Sequence, residues 1–153
     1  MTKLNKKVIE GVAPITLTDC VYTSDGRTLT EALFPWKNKK WVALGDSITD
    51  GSINADRKYH KIISELTGIN VVDFGKGGTG YVRTESDGTC FYQRANTIPS
   101  DADIVTIFGS INDWRHLNQY DGLNNGLTIG NATDTYDSNT YCGYINKCID
   151  VII

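Results

Sequence analysis

Three short stretches of this chain carry groups suited to acyl transfer: Asp46-Ser47, the glycine run Gly75-Lys-Gly-Gly-Thr-Gly80, and Gly109-Ser-Ile-Asn-Asp113. A serine hydroxyl attacks an ester carbonyl, and the charge that develops on the carbonyl oxygen needs hydrogen-bond donors aimed at it. Ser47 offers the hydroxyl, Gly78 a backbone N–H that no side chain obstructs, and Asn112 a carboxamide NH₂. Taken singly, each stretch is common, and Gly-Asp-Ser reads equally well as a strand-to-helix turn with a capping residue. The chemistry depends on the three being brought to one place.

The elements around them are arranged to do so. Trp41 to Leu44 is an apolar run suited to a strand covered on both faces, and Gly45 permits the sharp turn after it. Ser47 is thereby expected at a strand's carboxyl end, beside a helix N-terminus whose unpaired N–H groups favour negative charge. Tyr59, Ile62, Ile63 and Leu66 recur at helical spacing, which predicts a helix packed on a sheet through that face and closed by Gly68. Ile69 to Phe74 reads as a second strand running into the glycine loop. A Ser86-Asp87-Gly88 turn, a short helix near Phe91 to Thr97 stopped by Pro99, and a third strand from Asp103 to Phe108 follow. Trp114 to about Asp134, rich in Asn and Gly, reads as a surface loop over the strand ends, and Tyr141, Tyr144, Ile145, Cys148, Ile149 and Ile152 form one apolar stripe of a last helix.

The order β-α-β-(α)-β-α predicts an α/β fold with a flavodoxin-like, three-layer parallel sheet. With the first strand between the second and third, all three loops open on one edge, where such sheets bind ligands. Residues 1–37 differ from this pattern. They contain a Ser24-Asp25-Gly26 turn and a short helix over Thr28–Phe34, capped by Thr28 or Thr30 and stopped by Pro35, and they read as an N-terminal extension or attachment segment. Residues 38–153 form the main domain.

Composition narrows the partners. At 153 residues, with 40% hydrophobic and 22% charged content, the chain suits one globular domain. A net charge of -3 with no long basic stripe argues against nucleic acid, and Lys37, Lys39 and Lys40 read as a solvated junction. Met1 to Thr18 lacks the apolar stretch of a signal peptide, and no run is long enough to span a membrane, which leaves the location open. Cys20, Cys90, Cys142 and Cys148 lack metal-ligand spacing, so neither a metal nor a cofactor is expected. The run 75–80 satisfies the dinucleotide-binding pattern GxGxxG literally. Yet Tyr81-Val-Arg-Thr and a turn follow it, where that pattern needs a long helix.

Together Gly45-Asp-Ser-Ile-Thr49, Gly78 within Asp73-Phe-Gly-Lys-Gly-Gly-Thr79, and Gly109-Ser-Ile-Asn-Asp113 resemble the first three blocks of the SGNH (GDSL-like) hydrolases, over roughly residues 40 to 153. The resemblance implies Ser47 as nucleophile, with its own N–H, the Gly78 N–H and the Asn112 side chain as oxyanion hole. It implies Asp46 as a brace of the loop and Asp113 as a structural residue. It also calls for an Asp-x-x-His segment after two further strands, which this chain does not reach, so residues 1–153 read as the N-terminal part of a longer hydrolase and as weak or inactive alone. A C-terminal remainder or a second chain would complete the sheet.

Of the two histidines, His60 reads as a solvated helix position and His116, four residues past Asn112, as a candidate base near the mouth; neither is read as part of an Asp-x-x-His pair. The implied activity is hydrolysis of small O-acyl esters, such as acetyl groups on carbohydrates. A second reading is a non-catalytic carbohydrate-binding or structural module. Asp25-Gly-Arg-Thr-Leu-Thr-Glu31 is similar to linkers of phage tail or bacterial surface proteins, and Trp114, Tyr120 and Tyr81 are candidate sugar-stacking rings.

Overall fold

The structure is a computed structural model that describes residues 20–52, 57–82, 89–117 and 127–153, with only the backbone of 116 and 117. The readings of Met1 to Thr18, of the Ser86-Asp87-Gly88 turn and of Tyr120 lie outside the described residues. Two compact units divide the chain, Met1–Lys37 and Asn38–Ile153. In the first, a bridge between Tyr22 and Thr28 precedes α1 (Leu29–Leu33). Thr28 caps this helix reciprocally with Glu31, whose carboxylate accepts from the Thr28 N–H at 2.8 Å.

The second unit is an α/β layer structure. Its parallel sheet has the order β2-β1-β3, built from β1 (Lys40–Gly45), β2 (Asn70–Gly75) and β3 (Ile104–Phe108). This matches a flavodoxin-like arrangement at the level of strand order and layering. Gly45 pairs with Gly75 on one side and Phe108 on the other, so the three strands end level and their loops start from one line.

The central strand is buried from Trp41 to Gly45, as a parallel strand covered on both faces must be. On one face Leu44 packs with Phe91, Ala95 and Cys148 of α4 (Phe91–Ala95) and α6 (Tyr141–Asp150). On the other, Trp41 and Ala43 pack with Ile69 and the ring of Tyr59 from α3 (Tyr59–Thr67). Gly68 ends α3 at φ +73. The remaining helices are α2 (Ser47–Asp50) and α5 (Ile111–Leu117). The latter corrects the reading of a loop from Trp114 onward, since residues 114–117 are helical.

α3 also departs from expectation. Only Tyr59 of its predicted face packs on the sheet; Ile62 and Ile63 are 44% and 41% exposed, and Leu66 75%. The helix turns His60 inward instead, fully buried, with Ser64 donating to the Ile69 carbonyl at 2.6 Å. Polar side chains with partners inside outweigh the apolar periodicity in setting the helix's rotation. His60 is therefore not a solvated position.

The sheet's two edges differ in chemistry. β2 carries Asp73, paired with Lys58 at 2.6 Å, whereas β3 reads Ile-Val-Thr-Ile-Phe without a charge and, among the described residues, pairs only with β1.

Candidate active site

Ser47 follows directly from how β1 ends. A β-carbon on Gly45 would lie 2.6 Å from the Phe108 carbonyl oxygen and 2.0 Å from the Thr49 hydroxyl, so only glycine lets the chain turn there. Asp46 then caps the turn: its Oδ1 accepts from the Ile48 N–H at 2.9 Å, and its carbonyl accepts from the Thr49 and Asp50 N–H groups. Asp46 is wholly buried and braces the loop, and Ser47 is left half-buried as the first residue of α2. At four residues, α2 is too short to supply the helix dipole expected for Ser47.

The glycine loop lies against this turn. A β-carbon on Gly75 would meet the Asp50 backbone nitrogen at 2.2 Å, and one on Gly77 would sit 3.7 Å from the Ser47 β-carbon. Gly78 follows at φ +74, a conformation open to glycine at little cost. The third loop joins from the other side. Asn112 is 8% exposed, and its Nδ2 donates to the Thr79 carbonyl at 2.8 Å, using one of two amide hydrogens. Asp113 is fully buried, and its two oxygens accept from the Tyr81 and Val82 N–H groups at 2.9 Å each. Ser110, between Gly109 and α5, holds φ +121, a strained value for a residue with a side chain.

The structure thus gathers the loops of Ser47, Gly78 and Asn112 at the carboxyl ends of the strands. Beside them a cavity of about 330 Å³ opens between Ile48, Phe108, Ser110, Ile111 and Trp114, four of whose walls are apolar. Tyr81 lies elsewhere, packed edge-on against Phe91 and Tyr141 in the core, so it is not a wall of this cavity.

His60 is not placed as a base for Ser47. His60 Nε2 faces both the Thr49 carbonyl, at 3.0 Å, and Asp73, at 3.4 Å, while Nδ1 is buried without a partner. A relay needs one nitrogen for the carboxylate and the other for the serine. Asp113-Trp-Arg-His116 does satisfy Asp-x-x-His, a spacing that the sequence reading overlooked. Asp113, however, uses its oxygens to anchor the glycine loop, and the His116 side chain lies outside the described residues.

Asp73 adds a pH dependence. Burial pushes its carboxyl up, but the Lys58 hydrogen bond, the Gly75 N–H and the neighbouring His60 and Lys58 together hold it below the usual value. A lowered carboxyl stabilises the fold above its unfolded value and loses that contribution as pH falls through the folded one. Asp73→Asn is expected to melt lower than wild type at pH 7 and to converge with it in acid. Parallel melting-temperature curves from neutral pH into the acid range would remove this role.

One residue escaped sequence reasoning altogether. Arg94 of α4 points under the loops, donating to the Phe74 carbonyl, to the Gly45 carbonyl at 3.0 Å and to the Thr79 hydroxyl at 2.8 Å. A lone cation between the buried Phe91 and Ala95 was the available signal. The four cysteines are free, and burial pushes Cys148 up to about 12, which keeps its thiol protonated. Among the described residues no group of side chains could hold a metal.

No family model and no curated protein matches the chain. A crystal structure is similar at 23% identity and a TM-score of 0.59, over 76% of this chain and 52% of that one. The crystal structure of a protein from Lactobacillus plantarum, a structural-genomics target, is similar at 24% identity and a TM-score of 0.56, over 74% and 49%. The chain spans about half the length of each. Both likenesses show the fold, an α/β layer with a parallel sheet.

Proposed function

We propose that this chain is the nucleophile-bearing part of a serine esterase of the SGNH (GDSL-like) type, acting on small O-acyl esters such as acetyl groups on carbohydrates. The observation that carries the reading is the gathering of Ser47, Gly78 and Asn112, up to 65 positions apart in sequence, through the level strand ends and the Asn112 bond to Thr79. In this reading Ser47 attacks the ester carbonyl, and the N–H groups of Ser47 and Gly78 with the free hydrogen of Asn112 Nδ2 receive the oxyanion. The apolar cavity beside Ile48 takes the substrate's apolar part.

The reading leaves the base and its carboxylate to groups other than His60, whose Nε2 faces the Thr49 carbonyl and Asp73. No metal or cofactor takes part in this scheme. The test is hydrolysis of a short-chain nitrophenyl ester by the full-length protein. Asn112→Ala is expected to lower kcat by about 10²–10³-fold, as for loss of one oxyanion donor. Undiminished kcat would take Asn112 out of the mechanism. Glycan binding without turnover in the full-length protein, unaffected by Ser47→Ala, would favour the non-catalytic carbohydrate module instead.

A further inference from the structure

Arg94 bonds groups that flank two of the loops from which the candidate oxyanion hole is made. Its Nη2 bonds the Gly45 carbonyl, directly before Asp46-Ser47, and the Thr79 hydroxyl, directly after Gly78, while Nη1 bonds the Phe74 carbonyl at the end of β2. A guanidinium only donates, so the Thr79 hydroxyl must accept from it. Its own hydrogen is then directed to the Lys76 carbonyl, 2.7 Å away. That bond closes the turn Lys76-Gly77-Gly78-Thr79 and fixes Gly78 at φ +74. The Thr79 carbonyl meanwhile receives Asn112 Nδ2. Arg94 and Thr79 therefore form a relay connecting the strand end before Ser47, the Gly78 turn and the Asn112 amide.

We infer that Arg94, acting through the Thr79 hydroxyl, is a positioning residue that sets the direction of the Gly78 N–H and the distance of the glycine loop from Ser47. The inference rests on the esterase reading for its catalytic consequence, but the loop geometry can be measured without it. A lysine has the charge but cannot span three acceptors on two strands and a loop with a planar fork, so Arg94→Lys counts as a loss.

The experiment compares the full-length protein with its Arg94→Lys, Arg94→Ala, Thr79→Val and Arg94→Ala/Thr79→Val variants, by backbone ¹⁵N relaxation and by nitrophenyl-ester kinetics. Order parameters at Gly77 and Gly78 are expected to fall from about 0.85 to below about 0.6 in every variant, with those of β1 unchanged. In the kinetics kcat is expected to fall by about 10²-fold with KM held within about twofold, as for a small displacement of a reacting group. The double variant is expected to be no worse than the worse single one, because both break one relay. Methylguanidinium is expected to restore part of the kcat of Arg94→Ala and none of that of Ser47→Ala.

Unchanged order parameters in the loop, or an equal fall throughout β1, would overturn the inference, as would undiminished kcat per folded molecule in an enzyme that Ser47→Ala inactivates. Turnover that survives Ser47→Ala overturns the esterase reading instead, and the order parameters then decide by themselves whether Arg94 sets the loop.

Discussion

Ser47→Ala is expected to lower ester turnover by about 10³-fold or more, leaving KM and the unfolding transition nearly unchanged. The side chain is half-buried at the first position of α2, and the turn it stands on is held by Asp46 and by the tight seat of Gly45, not by the Ser47 hydroxyl. Alanine suits a helix at least as well as serine, so folding should not suffer. The nucleophile would nonetheless be gone, and what remains is the oxyanion hole acting on water. The measurement is initial rate against short-chain nitrophenyl ester with the full-length protein, beside thermal melts of both forms. Equal rates would strike Ser47 from the mechanism and leave the cavity as a binding site.

The second large effect is on stability. Asp113→Ala is expected to destabilise the protein by about 2–5 kcal/mol, since it strands two half-buried N–H donors that a carboxylate now receives. Those donors belong to Tyr81 and Val82, so the loss also releases the chain that follows the glycine loop. Asp113→Asn retains one acceptor oxygen and is expected to lose roughly half as much, because its NH₂ would oppose an N–H. Urea unfolding reads both. A change under about 0.5 kcal/mol for Asp113→Ala, the size of an ordinary surface substitution, would refute the anchor.

The strands were legible because their signals are local: an apolar run ending in glycine, repeated three times, predicts three level strand ends, and the parallel order β2-β1-β3 follows from the connections between them. Gly68 as a cap was legible for the same reason, and the choice between Thr28 and Thr30 falls to Thr28 through its bond with Glu31. The rotation of α3 was not. Apolar periodicity named Ile62, Ile63 and Leu66, whereas His60 and Ser64 face inward because each finds a carbonyl that only the folded sheet presents. Arg94 escaped in a like way, and Asp113 was legible as a structural residue but not in its partners, since both bond groups at least 15 residues distant in sequence. Of the candidate site, residue types and order could be read along the chain. The hydrogen bonds that hold Gly78 and Asn112 to each other could not, because Thr79 bears no mark of its role until the loops meet.

The uncharged border of β3 has a consequence for how molecules meet at high concentration. Asp73 and Lys58 place a charged pair on the opposite margin, whereas Ile-Val-Thr-Ile-Phe carries none. Wherever nothing screens that border, its outward N–H and C=O groups are a template for strand addition from a neighbouring molecule.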